Sequence, residues 1–224
     1  MRVSEIWRYP VKSMAGEPLD EVFAWRLGLE GDRVVDVENA DGRTVTARTH
    51  PRLLGHKGLL DSSGEPLVDG RAWSAASVRE DVGRIVGPGA RLVRDESSDR
   101  FDILPLLVAT DGAIKAFGYD GRRLRPNLVV SGVRGLAERT WPGRCLRIAE
   151  VVIGLENLRG RCVMTTFDPD TLEQDCEVLN SIVRRFAGTL ALNAEVLREG
   201  TIRRGDEVEL LNATECEQAR RSAE

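Results

Sequence analysis

Turn formers cut the chain into short apolar runs, and that rhythm restricts its fold more than any other feature. Arg2-Val3-Ser4-Glu5-Ile6-Trp7-Arg8-Tyr9 alternates in strand fashion and is stopped by Pro10. Glu21-Val22-Phe23-Ala24-Trp25 and Val34-Val35-Asp36-Val37 read the same way, with the turn 28–33 between them. Asn39-Ala40-Asp41-Gly42 supplies an Asp-Gly hairpin turn before the strand 43–48, and Pro51 ends it. Strands recurring at about 8–12 residues predict a barrel or sandwich rather than βαβ units.

The pattern continues past residue 57. A small hairpin is predicted around 64–70, and a short helix over 77–86 with Ser77 as cap and Glu80 three positions on. Another strand is predicted over 90–94. Asp95-Glu96-Ser97-Ser98-Asp99-Arg100 has no apolar residue and marks a boundary. It divides the chain into domains 1–95 and 96–212, followed by a polar, frayed tail at 213–224. The second half opens on the apolar run 103–110, after which Asp111 caps a short helix through Phe117. Strands follow at 128–130, at 151–155, around Cys162, at 190–196 and in a strand-turn-strand finish to Leu210. Residues 176–186 carry apolar side chains at i, i+3 and i+4 and read as an amphipathic helix. The predicted fold class is mainly β: two β-barrel domains, the first smaller, with a few short helices.

Composition excludes several functions. A net charge of −4 argues against a nucleic-acid partner, which selects a basic excess. No apolar run approaches the roughly 18 residues of a membrane span. The start Met1-Arg2-Val3-Ser4-Glu5 has no hydrophobic signal core, so a cytoplasmic protein is expected. Cys145, Cys162, Cys176 and Cys216 form no Cys-x-x-Cys pair and no zinc spacing with His50 and His56. In that compartment all four are expected as reduced thiols, with Cys145 and Cys176 as packing residues and Cys216 in the loose tail.

The stretch with most chemistry is Arg159-Gly160-Arg161-Cys162, a thiol between two guanidinium groups. Nearby positive charge favours a thiolate, the form that attacks electrophiles or ligates soft metals. Taken alone, a free cysteine is more often a buried, inert packing residue. Between Gly121 and Cys162, the bases Arg122, Arg123, Arg125, Arg134, Arg139, Arg144, Arg147, Arg159 and Arg161 face only Glu138, Glu150 and Glu156. Such a segment inside an acidic protein suits an anionic ligand, although surface arginines give the same count.

Five segments occur in order: Tyr9-Pro10-Val11-Lys12-Ser13, Gly31-Asp32-Arg33, Thr46-Ala47-Arg48, Arg125-Pro126-Asn127 and Arg161-Cys162-Val163-Met164-Thr165-Thr166-Phe167-Asp168-Pro169. With Trp141 and Gly205-Asp206 they resemble the MOSC family, the molybdenum cofactor sulfurase C-terminal domain with its N-terminal β-barrel partner. The amidoxime reducing branch is the most similar, and the likeness runs from about residue 2 to 211. It implies a molybdenum cofactor in a cleft between the halves, with Cys162 as metal ligand and catalytic thiolate. It also implies that Lys12, Ser13, Arg33, Arg48, Thr110, Arg125, Asn127 and Arg161 bind the pterin and its phosphate. Asp168 is the second catalytic candidate. The activity implied is reduction of small N-hydroxylated molecules, amidoximes and hydroxylamines. A ferredoxin- or cytochrome b5-like donor and its reductase would be the partners, with no membrane and no nucleic acid. The alternative is a non-catalytic carrier of the cofactor or of persulfide sulfur, and the family label also brings pyridoxal phosphate binding.

Plainer readings stand beside these. Arg33 pairs with Asp32 at a turn, Lys12 and Arg48 are solvated, Asp168 forms a turn and Trp141 packs. The sequence also departs from the family pattern, with Asp111 near the proposed phosphate site, Leu124 for an aromatic, and Ala149 and Leu172 where glycines are usual.

Overall fold

The computed structural model describes residues 1–223. The N-terminal elements are β1 (Arg2–Arg8), β2 (Glu17–Leu19), β3 (Glu21–Trp25), β4 (Gly28–Leu29), β5 (Val35–Glu38), β6 (Thr44–Val45), β7 (Gly58–Leu60), β8 (Pro66–Val68), β9 (Arg71–Ala72), α1 (Ala76–Val86) and β10 (Arg91–Arg94). They are followed by β11 (Leu106–Thr110), α2 (Asp111–Phe117), β12 (Leu128–Ser131), β13 (Cys145–Ile148), β14 (Val151–Gly160), α3 (Cys176–Phe186), β15 (Thr189–Arg198), β16 (Gly200–Arg203), β17 (Val208–Leu210) and α4 (Ala213–Ala223). The mainly β expectation holds.

One sheet of eight strands, in the order β17-β13-β14-β15-β11-β12-β1-β2, carries the larger core. Its two ends meet where Val3 N–H donates to Asp206 O at 2.9 Å and Val208 N–H donates to Met1 O at 2.9 Å. Val3, Ile6, Val108, Leu128, Leu146, Ile153 and Leu192 fill its inside. Every residue of β11 is buried, Leu107 and Ala109 packing with Ala191 on the outer face while Leu106 and Val108 face the inner core. Burial on both faces explains why 106–110 reads as one apolar run without alternation. A second core of Val11, Val35, Val37, Leu53, Val78 and Val82 joins α1 to the N-terminal strands. The sheets cross residue 95, because β1 pairs with β12 and β3 pairs with β16.

Several local expectations need correction. β11 and β12 run parallel with α2 between them, so the chain does contain a βαβ unit. The cap of α2 is Thr110, whose hydroxyl accepts from Ala113 N–H at 3.1 Å. Asp111 instead accepts from Gly132 N–H at 2.8 Å and Val133 N–H at 3.0 Å, which tethers the loop after β12. Ser77 lies inside α1, and the preceding Ala75 makes no side-chain cap. The Cys162 segment is not a strand. β14 ends at Gly160, and residues Val163–Thr166 wind into a 3-10 turn. Thr165 and Thr166 hydroxyls donate to the carbonyls three residues back, at 2.8 and 2.7 Å, a local alternative to a strand ladder.

The C-terminal expectation also fails. Residues Ala213–Ala223 form α4, which brings Cys216 against Cys145 with Cα atoms 5.3 Å apart in a disulfide. Both cysteines are buried with Val152 and Leu211, and 71 positions separate them, so sequence spacing could not pair them. Only Cys162 and Cys176 are free thiols among the described residues. No helix of the described residues is long and apolar enough to cross a membrane.

Ala149 (φ 49°) and Leu172 (φ 61°) stand in the left-handed region at the two positions where the resemblance leads one to expect glycine. Ala149 begins the two-residue link between β13 and β14, where positive φ favours glycine. The left-handed region costs an L-residue about 1–2 kcal/mol, whereas glycine costs about 0.5–1 kcal/mol in unfolded-state entropy. Strain wins, so Ala149→Gly is expected to stabilise the protein by about 0.5–1 kcal/mol, read from denaturant midpoints. A lower midpoint would contradict this account of the turn.

Candidate functional site

A cavity of about 410 Å³ opens where the N-terminal segments face the end of β14. Lys12 and Ser13 reach it from the bend after Pro10, Arg33 from the turn before β5, and Arg48 from the loop after β6. Phe101, Asp102, Ile103 and Leu104 come from the link into β11, and Arg123 and Arg125 from the 3-10 turn leading to β12. Arg159, Arg161 and Cys162 close it at the end of β14, with Asn193 of β15 and Met164 beside them. Three of its residues, Ser13 (φ 70°), Arg33 (φ 55°) and Arg125 (φ 55°), hold left-handed backbone. Each costs of order 1–3 kcal/mol and persists only where surrounding bonds fix it. For Arg33 the fixing bond is its N–H donating to Tyr9 O at 2.8 Å. For Ser13 it is the hydroxyl accepting from Ala47 N–H at 3.0 Å.

Below the cavity lies a buried polar floor built on Asp32, which is fully inaccessible to solvent. Its carboxylate accepts from Tyr9 N–H at 2.7 Å, from the Asn127 amide at 3.1 Å and from the Arg33 guanidinium. Asn127 spends the rest of its amide on Trp7 O (3.3 Å), Leu107 N–H (3.1 Å) and Arg33 (3.4 Å). The Tyr9 ring carries Arg125 at 4.3 Å and Arg33 at 5.1 Å from its centroid, and its hydroxyl donates to Pro126 O at 3.1 Å. Burial pushes the Tyr9 hydroxyl up to about 12, against the pull of Arg125 and Arg33. Burial also brings the Arg125 guanidinium down to about 10, with Tyr9 opposing and Arg33 assisting.

The walls are strongly cationic. Lys12, Arg33, Arg48, Arg123, Arg125, Arg159 and Arg161 line the cavity with one carboxylate, Asp102, while Arg33 also pairs with Asp32 in the floor and Arg123 with Asp168 outside it. Asp102 contacts Lys12 at 3.5 Å, Arg159 at 3.5 Å and Arg48 more closely. Burial opposes its ionisation, but Arg48 and Lys12 outweigh that and hold it below the usual carboxylate range. Arg161 donates to Leu124 O at 2.7 Å, while its Nε is buried with no partner. Burial lowers Arg161 to about 10, partly offset by the Cys162 thiol beside it. Arg48 and Arg159 face the same thiol, so three guanidinium groups address Cys162. Neither Arg125 nor Arg161 is ion-paired among the described residues.

Thus the chain brings together Lys12, Ser13, Arg33, Arg48, Arg125, Asn127, Arg161 and Cys162. Two expected residues lie elsewhere. Thr110 is fully buried, capping α2 and donating to Glu138 at 3.3 Å, so it has no free hydroxyl for a ligand. Asp168 accepts from Asp170 and Thr171 N–H at 3.0 Å each and pairs with Arg123 at 2.9 Å, which makes it the turn former and not a cavity residue. Asn127 reaches the cavity wall, but its amide is spent inside the chain and acts as a brace.

The basic segment 121–162 contributes only Arg123, Arg125, Arg159 and Arg161 to the cavity. Arg122 pairs with Asp120 and Asp170, Arg139 with carbonyls near Thr189, Arg144 with Leu211 O and Arg147 with Glu209. Asp102 and Asn193 had no sequence signal, since one follows a polar linker and the other sits in an apolar strand.

Below pH 10 Tyr9 is neutral in both folded and unfolded chains. Between that pH and about 12 the unfolded chain releases a proton that the folded chain keeps, so stability falls as pH rises through this window. Tyr9→Phe is expected to flatten that fall, and to lose about 1 kcal/mol at neutral pH with the bond to Pro126. Urea unfolding across the alkaline range measures both, and equal slopes in the two proteins would refute the burial argument.

The residues present fit a phosphorylated, metal-bearing pterin. The buried Nε of Arg161 lacks an acceptor, Arg125 lacks a carboxylate, and a soft thiol stands at the same wall. Comparison with known proteins identifies the family. The MOSC N-terminal beta barrel domain matches residues 1–70 and the MOSC domain matches residues 111–209. Human mitochondrial amidoxime-reducing component 1 is 26% identical over 280 residues, covering 93% of this chain and 82% of that protein. Mitochondrial amidoxime reducing component 2 of Macaca fascicularis is 27% identical over 227 residues, covering 75% of this chain and 67% of that protein. The YuaD protein from Bacillus subtilis shares the fold, with a TM-score of 0.52 at 13% identity over 93% of this chain and 94% of that one. With both domains matched in order on either side of the link that carries Asp102, the chain belongs to the MOSC family.

Proposed function

We propose that this protein is a molybdenum cofactor-dependent oxidoreductase that reduces N-hydroxylated compounds such as amidoximes and hydroxylamines. Its electrons would come from a separate ferredoxin- or cytochrome b5-like protein and its reductase. The observation that carries this reading is the free Cys162 thiol, half-buried in a cationic cavity beside an arginine whose buried Nε has no acceptor. The names of the relatives, at 26% and 27% identity, supply the substrate class.

Cys162 would bind the metal as a thiolate, with the Arg161 and Arg48 guanidinium groups facing it. Arg125 and Arg161 would donate to phosphate and pterin oxygens, with Lys12 adding a point charge and Ser13 a hydroxyl donor. Arg33 and Asn127 hold Tyr9 and Asp32 beneath them, so they position this set from below. Leu106, Leu107 and Met164 give the cavity an apolar side. When bound, the cofactor supplies the two-electron chemistry that removes the substrate's oxygen.

Protein purified from a host with intact molybdopterin synthesis is expected to carry about one molybdenum per chain, and Cys162→Ala to lose it. The loaded protein should reduce benzamidoxime with an artificial electron donor. Metal without turnover would mark a cofactor carrier instead. Folded protein without molybdenum overturns both readings.

A further inference from the structure

Asp102 is the one carboxylate among the charged side chains of the cavity. It stands on a four-residue span, Phe101 to Leu104, all of which lines the cavity. Both ends of the span are anchored. On one side the buried Arg100 donates to Asp32 O at 3.2 Å, Leu27 O at 3.1 Å, Ser97 O at 3.0 Å and Glu96 O at 2.6 Å. On the other, Pro105 packs against Gly28 and leads into the buried strand β11. Between these anchors the span is held by the ion pairs of Asp102, by Phe101 N–H donating to Ser98 O at 3.4 Å and by the Arg100 guanidinium 4.5 Å from the Phe101 ring centroid, while Ile103 is 54% exposed.

Lys12, Arg48 and Arg159 thus converge on one carboxylate in a space otherwise lined by cations. A carboxylate and a phosphate monoester present the same donors with the same chemistry, oxygens carrying negative charge. Both cannot occupy the three cations together without like-charge repulsion at short range.

We propose that Asp102 is a built-in counter-ion that holds the cavity closed to anions, and that a phosphate group entering it displaces Asp102 and swings the Phe101–Leu104 span outward. Asp102 therefore sets the affinity and the entry of the anionic group. The proposal rests on the reading of the cavity as an anion site, and metal content tests that reading without touching Asp102.

The test uses inorganic phosphate and the full chain purified from a host unable to make molybdopterin. Calorimetric titration at constant ionic strength is expected to show phosphate binding about tenfold tighter in Asp102→Asn than in wild type. Asp99→Asn, which removes the same charge from an exposed residue of the same link, should bind like wild type. Equal affinity in wild type and Asp102→Asn, or the same gain in Asp99→Asn, overturns the proposal. Phosphate binding to none of the proteins removes the anion site itself.

Chymotrypsin cleavage after Phe101 gives a measurement free of any variant. It should accelerate on adding phosphate to wild type, and unchanged or slower cleavage overturns the swing. Protein from a molybdopterin-competent host separates the sources of phosphate. If the cofactor's own phosphate is the occupant, that protein is cleaved fast from the start and ignores added phosphate. A free oxyanion as occupant leaves it responsive.

Discussion

The rest of the site hangs on one buried carboxylate. Asp32 joins three segments that lie far apart in the chain, through Tyr9 N–H, the Asn127 amide and the Arg33 guanidinium. Breaking a buried pair leaves an uncompensated charge and costs about 3–5 kcal/mol, more than any single surface pair here could offset. Asp32 is therefore a structural fastener whose output is geometric. It sets the Tyr9 ring on which Arg33 and Arg125 stack, and it locks the left-handed turn that presents Arg33. Arg100 ties the same turn to the link between the chain's halves, through Asp32 O and Leu27 O.

Above this floor the chain concentrates positive charge where burial disfavours it. Arg125 and Arg161 are both brought down to about 10 by desolvation, and Arg33 and Arg48 add repulsion at Arg159. A cavity of this kind is poised for anions, because an entering negative charge relieves repulsion that folding has already built in. Asp102 relieves part of it in the chain itself. The remainder, at Arg125 and at the Nε of Arg161, stays available beside the thiol.

Much of the fold was legible from local pattern. β1, β3, β5, β10, β12 and the helix over 176–186 follow from alternation, turn formers and helical spacing. What failed were features whose cause is not local. The Cys162 segment reads as a strand by composition, yet Thr165 and Thr166 turn it with their own hydroxyls. Cys216 reads as belonging to a loose tail, yet α4 lies against the β-sheet and brings it to Cys145. Thr110 and Asp168 matched family positions, but neighbouring N–H groups claimed their oxygens for capping and turning.

The sequence by itself determined most of the strands and the first three helices, the family, and the roster of arginines, lysine and thiol from which a site could be chosen. Those properties depend on residue type and near-neighbour order, which a linear chain displays in full. Only tertiary structure decided which of nine bases between 121 and 162 face the cavity, and that four do. It alone put Asp102 among three cations, turned Asn127 into a brace, and left Arg161 Nε without a partner. The reason is that hydrogen-bond partners, burial and charge convergence are properties of distances between remote residues, which close packing sets and chain order does not.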